Sequence, residues 1–251
     1  MIVERTRAIV LRVVDFAEAD RVVTLLSPAR GKLDAVARGA RLSRRRFSGL
    51  GLGVVGDAMV KERRGQELWA LESFTATRSL AGAAVDVAVA AHGGYLVELS
   101  RELCPAHEPE PGVFALLETA LVALEDGPLP VRALRRFELA LLGMLGMAPA
   151  LDRCTGCGSE TLDGPAQRFD AARGGVVCGQ CGIGGSLPFP GEARRYLVAA
   201  RGEPRGEAGG AWSAEAAEAG RDAVLAALYA HLGRPLRSLE FMAKVARARR
   251  A

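Results

Sequence analysis

Four of the five cysteines fall in two Cys-x-x-Cys pairs, Cys154-Thr-Gly-Cys157 and Cys178-Gly-Gln-Cys181, with 20 residues between them. Each pair turns tightly enough to aim two thiolates at one ion, and two such knuckles complete the tetrahedral shell that zinc prefers. Gly156, Gly158, Gly179 and Gly182 suit those turns. Four thiolates leave no coordination position open to water, so the one Zn2+ they predict is structural, not catalytic. The competing reading is two redox pairs or incidental cysteines. A redox Cys-x-x-Cys usually opens a helix in a βαβ unit, and no such pattern surrounds these. The fifth cysteine, Cys104, stands with His107 like half a metal site, but Pro105 intervenes and no second pair is near. A buried thiol and a surface imidazole are expected there.

Upstream of about residue 78 the apolar residues alternate and are often β-branched, the mark of half-buried strands. Strands are predicted near Arg7 to Asp15, Arg21 to Ser27, Lys32 to Arg38, Val54 to Lys61 and Leu68 to Thr75. Ser27-Pro28-Ala29-Arg30-Gly31 has turn chemistry, so the second and third strands should form a hairpin. Five short strands in so little chain fit a small closed barrel, which leaves no open edge. After Arg78 the period becomes helical: Val113, Leu117, Leu121 and Leu124, then Leu134, Phe137, Leu141 and Leu145, then Leu225, Leu228 and Leu232. These stripes read as packing faces. Pro105 to Gly112 and Gly127 to Pro130 break helices, and Gly202 to Gly210 reads as a polar loop. The division expected is therefore 1–79 for the strand domain, 80–150 and 187–251 for a helical domain, and 151–186 for the cysteine insertion.

Charge is concentrated in the strand domain. The first 80 of the 251 residues hold 15 Lys and Arg against 9 Asp and Glu, whereas the remainder has a slight acidic excess. Arg30, Lys32, Arg38, Arg41, Arg44, Arg45 and Arg46 crowd a stretch whose only acid is Asp34. The bland reading is a solvated loop. On a barrel, the same residues neutralise phosphates and release counterions, so a nucleic-acid contact without sequence preference is expected. Phe16, Phe47 and Trp69 are candidates either to stack bases or to fill the core, with Trp69 favoured for the core by its alternation.

Several function classes fall away. Gly51-Leu-Gly53-Val-Val-Gly56 matches a dinucleotide fingerprint in spelling, but it follows an arginine loop and leads into a strand, where the true motif opens a helix. His92, His107 and His231 are scattered, with no nucleophile signature or paired carboxylates nearby. The apolar stretch Ala81 to Val97 is interrupted by Asp86 and His92 and is too short to span a bilayer. Neither a membrane span nor an export signal is expected, which indicates a cytoplasmic protein. A zinc-ribbon regulator of transcription or translation and a thiol-redox or nicotinamide-dependent enzyme remain as alternatives.

The order of these parts resembles the bacterial RecO family of recombination mediators. The likeness lies in Glu18-Ala-Asp20-Arg-Val-Val-Thr24-Leu-Leu-Ser27 and in Gly31-Lys32-Leu-Asp-Ala-Val-Ala-Arg38-Gly39-Ala-Arg41. It continues through Phe137-Glu138-Leu-Ala-Leu-Leu142, Gly146, Pro149 and Cys154, and ends at Leu232-Gly233-Arg234-Pro-Leu-Arg237-Ser238. The resemblance implies an α+β chain: a five-stranded OB-fold barrel, a helical domain and an inserted zinc-ribbon-like element built on the four cysteines. It also implies non-enzymatic, nucleoid-associated work in DNA repair: binding single- and double-stranded DNA, annealing strands and, with RecR, helping RecA replace single-stranded DNA-binding protein. The Gly49 to Gly56 stretch is richer in glycine than the family's usual loop.

One more surface is expected on the helix beginning near Val131. Arg132, Arg135 and Arg136 lie within about one turn, beside the apolar stripe through Leu134 and Phe137. A cationic edge next to an apolar groove suits an acidic peptide with an apolar end. The resemblance implies that this peptide is the C-terminal tail of single-stranded DNA-binding protein. Ordinary ion pairing of these arginines with Glu138 or nearby acids is the alternative.

Overall fold

A computed structural model describes residues 3–43, 45–63, 65–79, 86–160, 162, 167–182, 184–202 and 212–248. Arg44, residues 81–85 of the apolar stretch and residues 203–210 of the expected polar loop lie outside them.

Five strands close on one another: β1 (Val3–Phe16), β2 (Asp20–Ser27), β3 (Gly31–Ala37), β5 (Val55–Lys61) and β6 (Trp69–Arg78). The first half of β1 pairs antiparallel with β5, Ile9 opposite Val55, and its second half pairs with β2, Val14 opposite Val22. An irregularity between Val10 and Arg12 lets one long strand bend and serve both neighbours. The β2–β3 hairpin forms at the expected turn, with Ser27 opposite Gly31. Parallel pairing of β3 with β6, Ala35 opposite Trp69 and Val36 opposite Ala70, joins the two ends, giving an OB-like ring. A two-residue strand not foreseen from the sequence, β4 (Phe47–Ser48), runs beside Phe74 and Thr75 of β6.

Alternation along these strands fills the interior with Leu33, Ala35 and Ala37 of β3, Val23 and Leu25 of β2, Ala58 and Val60 of β5, and Leu71 and Phe74 of β6. Phe47 and Trp69 belong to the same core. Ile9, Leu11 and Leu26 are also fully buried, yet outside that interior. Helices α1 (Val87–Leu103) and α2 (Pro111–Ala123) lie against β1 and β2 and cover that side. The stripe Val113, Leu117, Leu121 and Leu124 is buried as its period predicts. Helix α6 (Arg237–Ala248) packs on α1 through Val245 and Met242 against Ala88 and Ala91. The Glu98 carboxylate accepts from the first amides of α6, Arg237 N–H at 3.3 Å and Ser238 N–H at 2.8 Å, which satisfies donors that a helix start leaves open.

The chain therefore packs as two compact units, 1–129 with 236–251, and 130–235. This grouping cuts across the division by element type: α1, α2 and α6 pack with the strands. The second unit holds α3 (Val131–Met144), a small sheet ordered β8 (Gly175–Val177), β7 (Arg168–Asp170), β9 (Leu187–Pro188), then α4 (Gly191–Gly202) and α5 (Ala214–Leu232). Helices α3, α4 and α5 pack on one another. Of the expected α5 stripe only Leu228 is fully buried; Leu225 and Leu232 are half-buried, and the inward face is Ala216, Gly220, Ala223, Val224 and Ala227. Small residues allow close approach there: a Cβ at Gly220 would sit 2.8 Å from the Tyr196 ring.

Candidate nucleic-acid interface and metal centre

The basic run between β3 and β4 is braced onto the β1–β2 turn. Arg41 donates from its backbone N–H to the Ala19 carbonyl at 3.0 Å, and its guanidinium donates to the carbonyls of Ala17 and Glu18 at 3.3 and 2.9 Å. Gly39 N–H donates to the Asp20 carboxylate at 2.8 Å, and Arg46 donates to the Arg38 carbonyl at 2.8 Å while lying over the Phe47 ring. These bonds set the loop's shape but leave its arginines at the surface: Arg38, Arg41, Arg45 and Arg46 are exposed. Phe16 beside them is 55% exposed, so of the three candidate aromatics it is the one held out to solvent. Such a tip offers preset positive charge to a phosphate backbone.

Arg30 and Lys32 are placed differently. Arg30 makes a forked contact with Glu4, Nε and Nη2 donating to one carboxylate oxygen at 2.8 and 2.6 Å. The Lys32 ammonium donates to the Arg101 carbonyl at the end of α1 at 2.7 Å, and the Lys32 carbonyl accepts from His107 N–H at 2.8 Å. Both side chains brace the strand unit. Two residues outside the arginine run join its surface: Lys61 and Arg63 line a shallow groove of about 560 Å³ with Arg38 and Glu72. Counting charge density along the chain passes over them, because strand pairing rather than sequence sets β6 between β5 and β3.

The dinucleotide-like glycines sit in the ring, not at a helix start. Gly53 N–H donates to Val10 carbonyl at 2.8 Å, and the segment runs directly into β5. Cys104 is buried, which pushes its thiol up to about 11, while His107 is exposed.

In the second unit the four cysteines meet. The Sγ atoms of Cys154, Cys157, Cys178 and Cys181 all lie within 4.8 Å of one another, with Cys157 and Cys178 at 3.9 Å. Four sulfurs about 2.3 Å from a central zinc would be spaced about 3.8 Å apart, so the set fits one ion. The first knuckle is hung on β8, Thr155 N–H donating to Val176 carbonyl at 2.9 Å, and the second follows β8 directly. Close approach requires Gly156, where a Cβ would lie 2.9 Å from the Cys181 sulfur. Burial alone raises the Cys154 thiol, but the amides of Cys178, Cys157 and Gly156 outweigh it and bring it down to about 6. Its sulfur accepts from Cys178 N–H at 3.2 Å and Gly156 N–H at 3.4 Å. Amides aimed at sulfur favour thiolate, the form a metal binds.

The arginines of α3 do not form one exposed edge. Arg135 is 4% exposed and pairs with the fully buried Glu138 at 2.7 Å, so it is removed from the expected peptide-binding set. It faces inward because its neighbours Leu134 and Glu138 do, α3 being buried over a wide arc. Arg132 and Arg136 are half-buried.

Family models of a recombination protein match both parts of this chain. A family model described as Recombination protein O N terminal matches residues 1–80, and one described as Recombination protein O C terminal matches 85–240. The chain is 42% identical over 241 residues to DNA repair protein RecO of Anaeromyxobacter dehalogenans (strain 2CP-C), covering 94% of each chain. It is 38% identical over 245 residues to that of Myxococcus xanthus, covering 95% of this chain and 96% of the relative. To that of Geobacter sulfurreducens it is 36% identical over 255 residues, with 95% and 96% covered. The chain belongs to the RecO family of DNA repair proteins. Among the described residues, no helix is long and apolar enough to cross a membrane.

Proposed function

We propose that this protein is a recombination mediator of the cytoplasmic nucleoid. It binds single- and double-stranded DNA, anneals complementary strands and, with RecR, helps load RecA onto DNA coated with single-stranded DNA-binding protein. The observation carrying this reading is the braced basic tip, with Arg38, Arg41, Arg45 and Arg46 held at the surface of an OB-like ring. Arg44, Lys61 and Arg63 extend the phosphate-binding set. Arg30 and Lys32, bonded to Glu4 and to the Arg101 carbonyl, brace the strand unit that carries it.

Zn2+ is the ion that suits Cys154, Cys157, Cys178 and Cys181, and with four sulfurs around it the metal supplies cross-linking and no chemistry. Arg132 and Arg136 are the residues proposed to receive the acidic tail of single-stranded DNA-binding protein. The test is annealing of complementary strands coated with that protein. Addition of this chain should accelerate annealing, and replacing Arg38, Arg45 and Arg46 by Ala should remove the acceleration. Equal rates with and without wild-type protein would refute the mediator reading.

A further inference from the structure

Beside the basic groove, a second cavity of about 290 Å³ opens at the start of β6, lined by Arg30, Glu62, Gln66, Glu67, Trp69 and His107. Its walls are flat and aromatic. The His107 imidazole lies 19° from parallel to the Trp69 indole with ring centroids 6.4 Å apart, and the Arg30 guanidinium is 6.0 Å from the indole centroid. The indole is only 8% exposed and belongs to the ring's core, so it is a rigid wall. His107 is held by its backbone in the left-handed region, at φ 61°, and by its N–H bond to Lys32. A bulky residue rarely adopts that conformation unless its surroundings impose it.

The charge here differs from that of the tip. Among the described lining residues, Arg30 is paired with Glu4, and Glu62 and Glu67 add two carboxylates. The carboxylate oxygens of Glu62 and Glu67 and the amide oxygen of Gln66 can accept hydrogen bonds from the amino groups of cytosine, adenine and guanine. In duplex each amino group spends one hydrogen on its base pair, whereas in single strands both are available and bases can leave the stack and lie on aromatic or guanidinium planes. Gln66 lines both cavities, so a strand with its phosphates along Arg38, Lys61 and Arg63 passes the mouth of this one.

We propose that the Trp69–His107 cavity holds one unstacked base of single-stranded DNA, with Glu62 and Glu67 favouring amino-bearing bases over thymine. This inference rests on the DNA-binding reading. It gives the chain a means of distinguishing single strands from duplex that the phosphate contacts do not provide.

The experiment uses the two tryptophans. A Trp212→Phe background leaves Trp69 as the sole indole, and its emission is followed while titrating oligo(dC), oligo(dT) and a duplex of equal length. Quenching is expected with single strands, stronger with oligo(dC), and absent with duplex that nevertheless binds. His107→Asn keeps a residue tolerant of the left-handed backbone and removes the ring. It should weaken oligo(dC) about 5-fold or more and leave duplex affinity, which reports intact folding, unchanged. Binding of both DNAs without selective quenching, or equal loss of both in the variant, would overturn the base site and leave DNA binding standing. Equal quenching by oligo(dC) and oligo(dT) would overturn the role given to the two glutamates. Failure of either DNA to bind would overturn the DNA-binding reading itself, and this inference with it.

Discussion

The Lys32 ammonium donates to the Arg101 carbonyl at 2.7 Å, tying the β2–β3 hairpin to the last turn of α1. A cation at a helix C-terminus is favoured by the carbonyls left without intrahelical partners. On the same hairpin, Gly31 takes φ 65°, and a Cβ there would overlap the carbonyl of Glu108. Two adjacent residues thus clasp the α1–α2 connector, and that connector carries His107. A lysine in the most basic stretch of the chain has a structural task, so its charge must be weighed by what it already touches.

Lys32→Ala should therefore lower stability and spare DNA binding. The charge-assisted bond it removes is worth about 1.5–3 kcal/mol, which thermal or urea unfolding would register. The salt dependence of oligonucleotide affinity should match wild type. A stable variant with a flattened salt slope would place Lys32 on phosphate instead.

Replacing Arg38, Arg45 and Arg46 by Ala should have the opposite signature. These side chains are exposed, so melting should barely change. The log-log salt slope on single strands should fall by roughly 0.7 for each phosphate no longer neutralised. An unaltered slope would mean that the tip is only solvated surface.

The fates of these arginines show which features were readable from the sequence. Cysteine spacing and the Ser27–Gly31 turn are local, dictated by a few adjacent residues, and both are found where the sequence places them. The buried α2 stripe is local in the same sense. What was not readable depends on partners distant in the chain. Nothing near Lys32 announces Arg101, and β4 is too short to carry a period. Helices α1 and α2, which sequence alone assigns to another domain, pack against β1 and β2. In α5 the large residues Leu225 and Leu232 suggested the wrong centre for the buried face, which is made of alanines, Val224 and Gly220, the last close against Tyr196.

The four-thiol centre should hold about one zinc per chain. A quadruple Cys→Ser variant of Cys154, Cys157, Cys178 and Cys181 should contain none and lose solubility or stability, since metal binding and local folding are coupled. Elemental analysis with thermal melting decides it. A variant of unchanged stability and metal content would refute the site.

Cys104 should behave apart from that set. Burial pushes its thiol up to about 11, so at pH 8 it stays protonated and shielded from thiol reagents. Disulfide-exchange titration of native protein treated with a strong chelator should reach at most four thiols, the fifth appearing only on unfolding. Rapid reaction of five thiols in the folded, chelated protein would contradict this placement.

The α3 arginines separate stability from recognition within one helix. Arg135 and Glu138 form a buried pair, and removing one partner strands the other charge, so Arg135→Ala should cost about 3–5 kcal/mol. Replacing both together, Arg135→Met with Glu138→Leu, should recover much of that loss. Arg132 and Arg136 are half-buried. Arg132→Glu with Arg136→Glu reverses the local charge, and thermal melting of that variant checks that the fold is kept. That variant should lose affinity for the acidic tail peptide of single-stranded DNA-binding protein and keep its affinity for bare oligonucleotide, because the basic tip belongs to the other unit. Peptide titration by calorimetry, with Arg135→Met/Glu138→Leu as the control for packing, reads the difference directly. A charge-reversed variant that binds the peptide like wild type would move the docking site off α3, and loss of peptide affinity in the Arg135→Met/Glu138→Leu control alone would assign recognition to the buried pair.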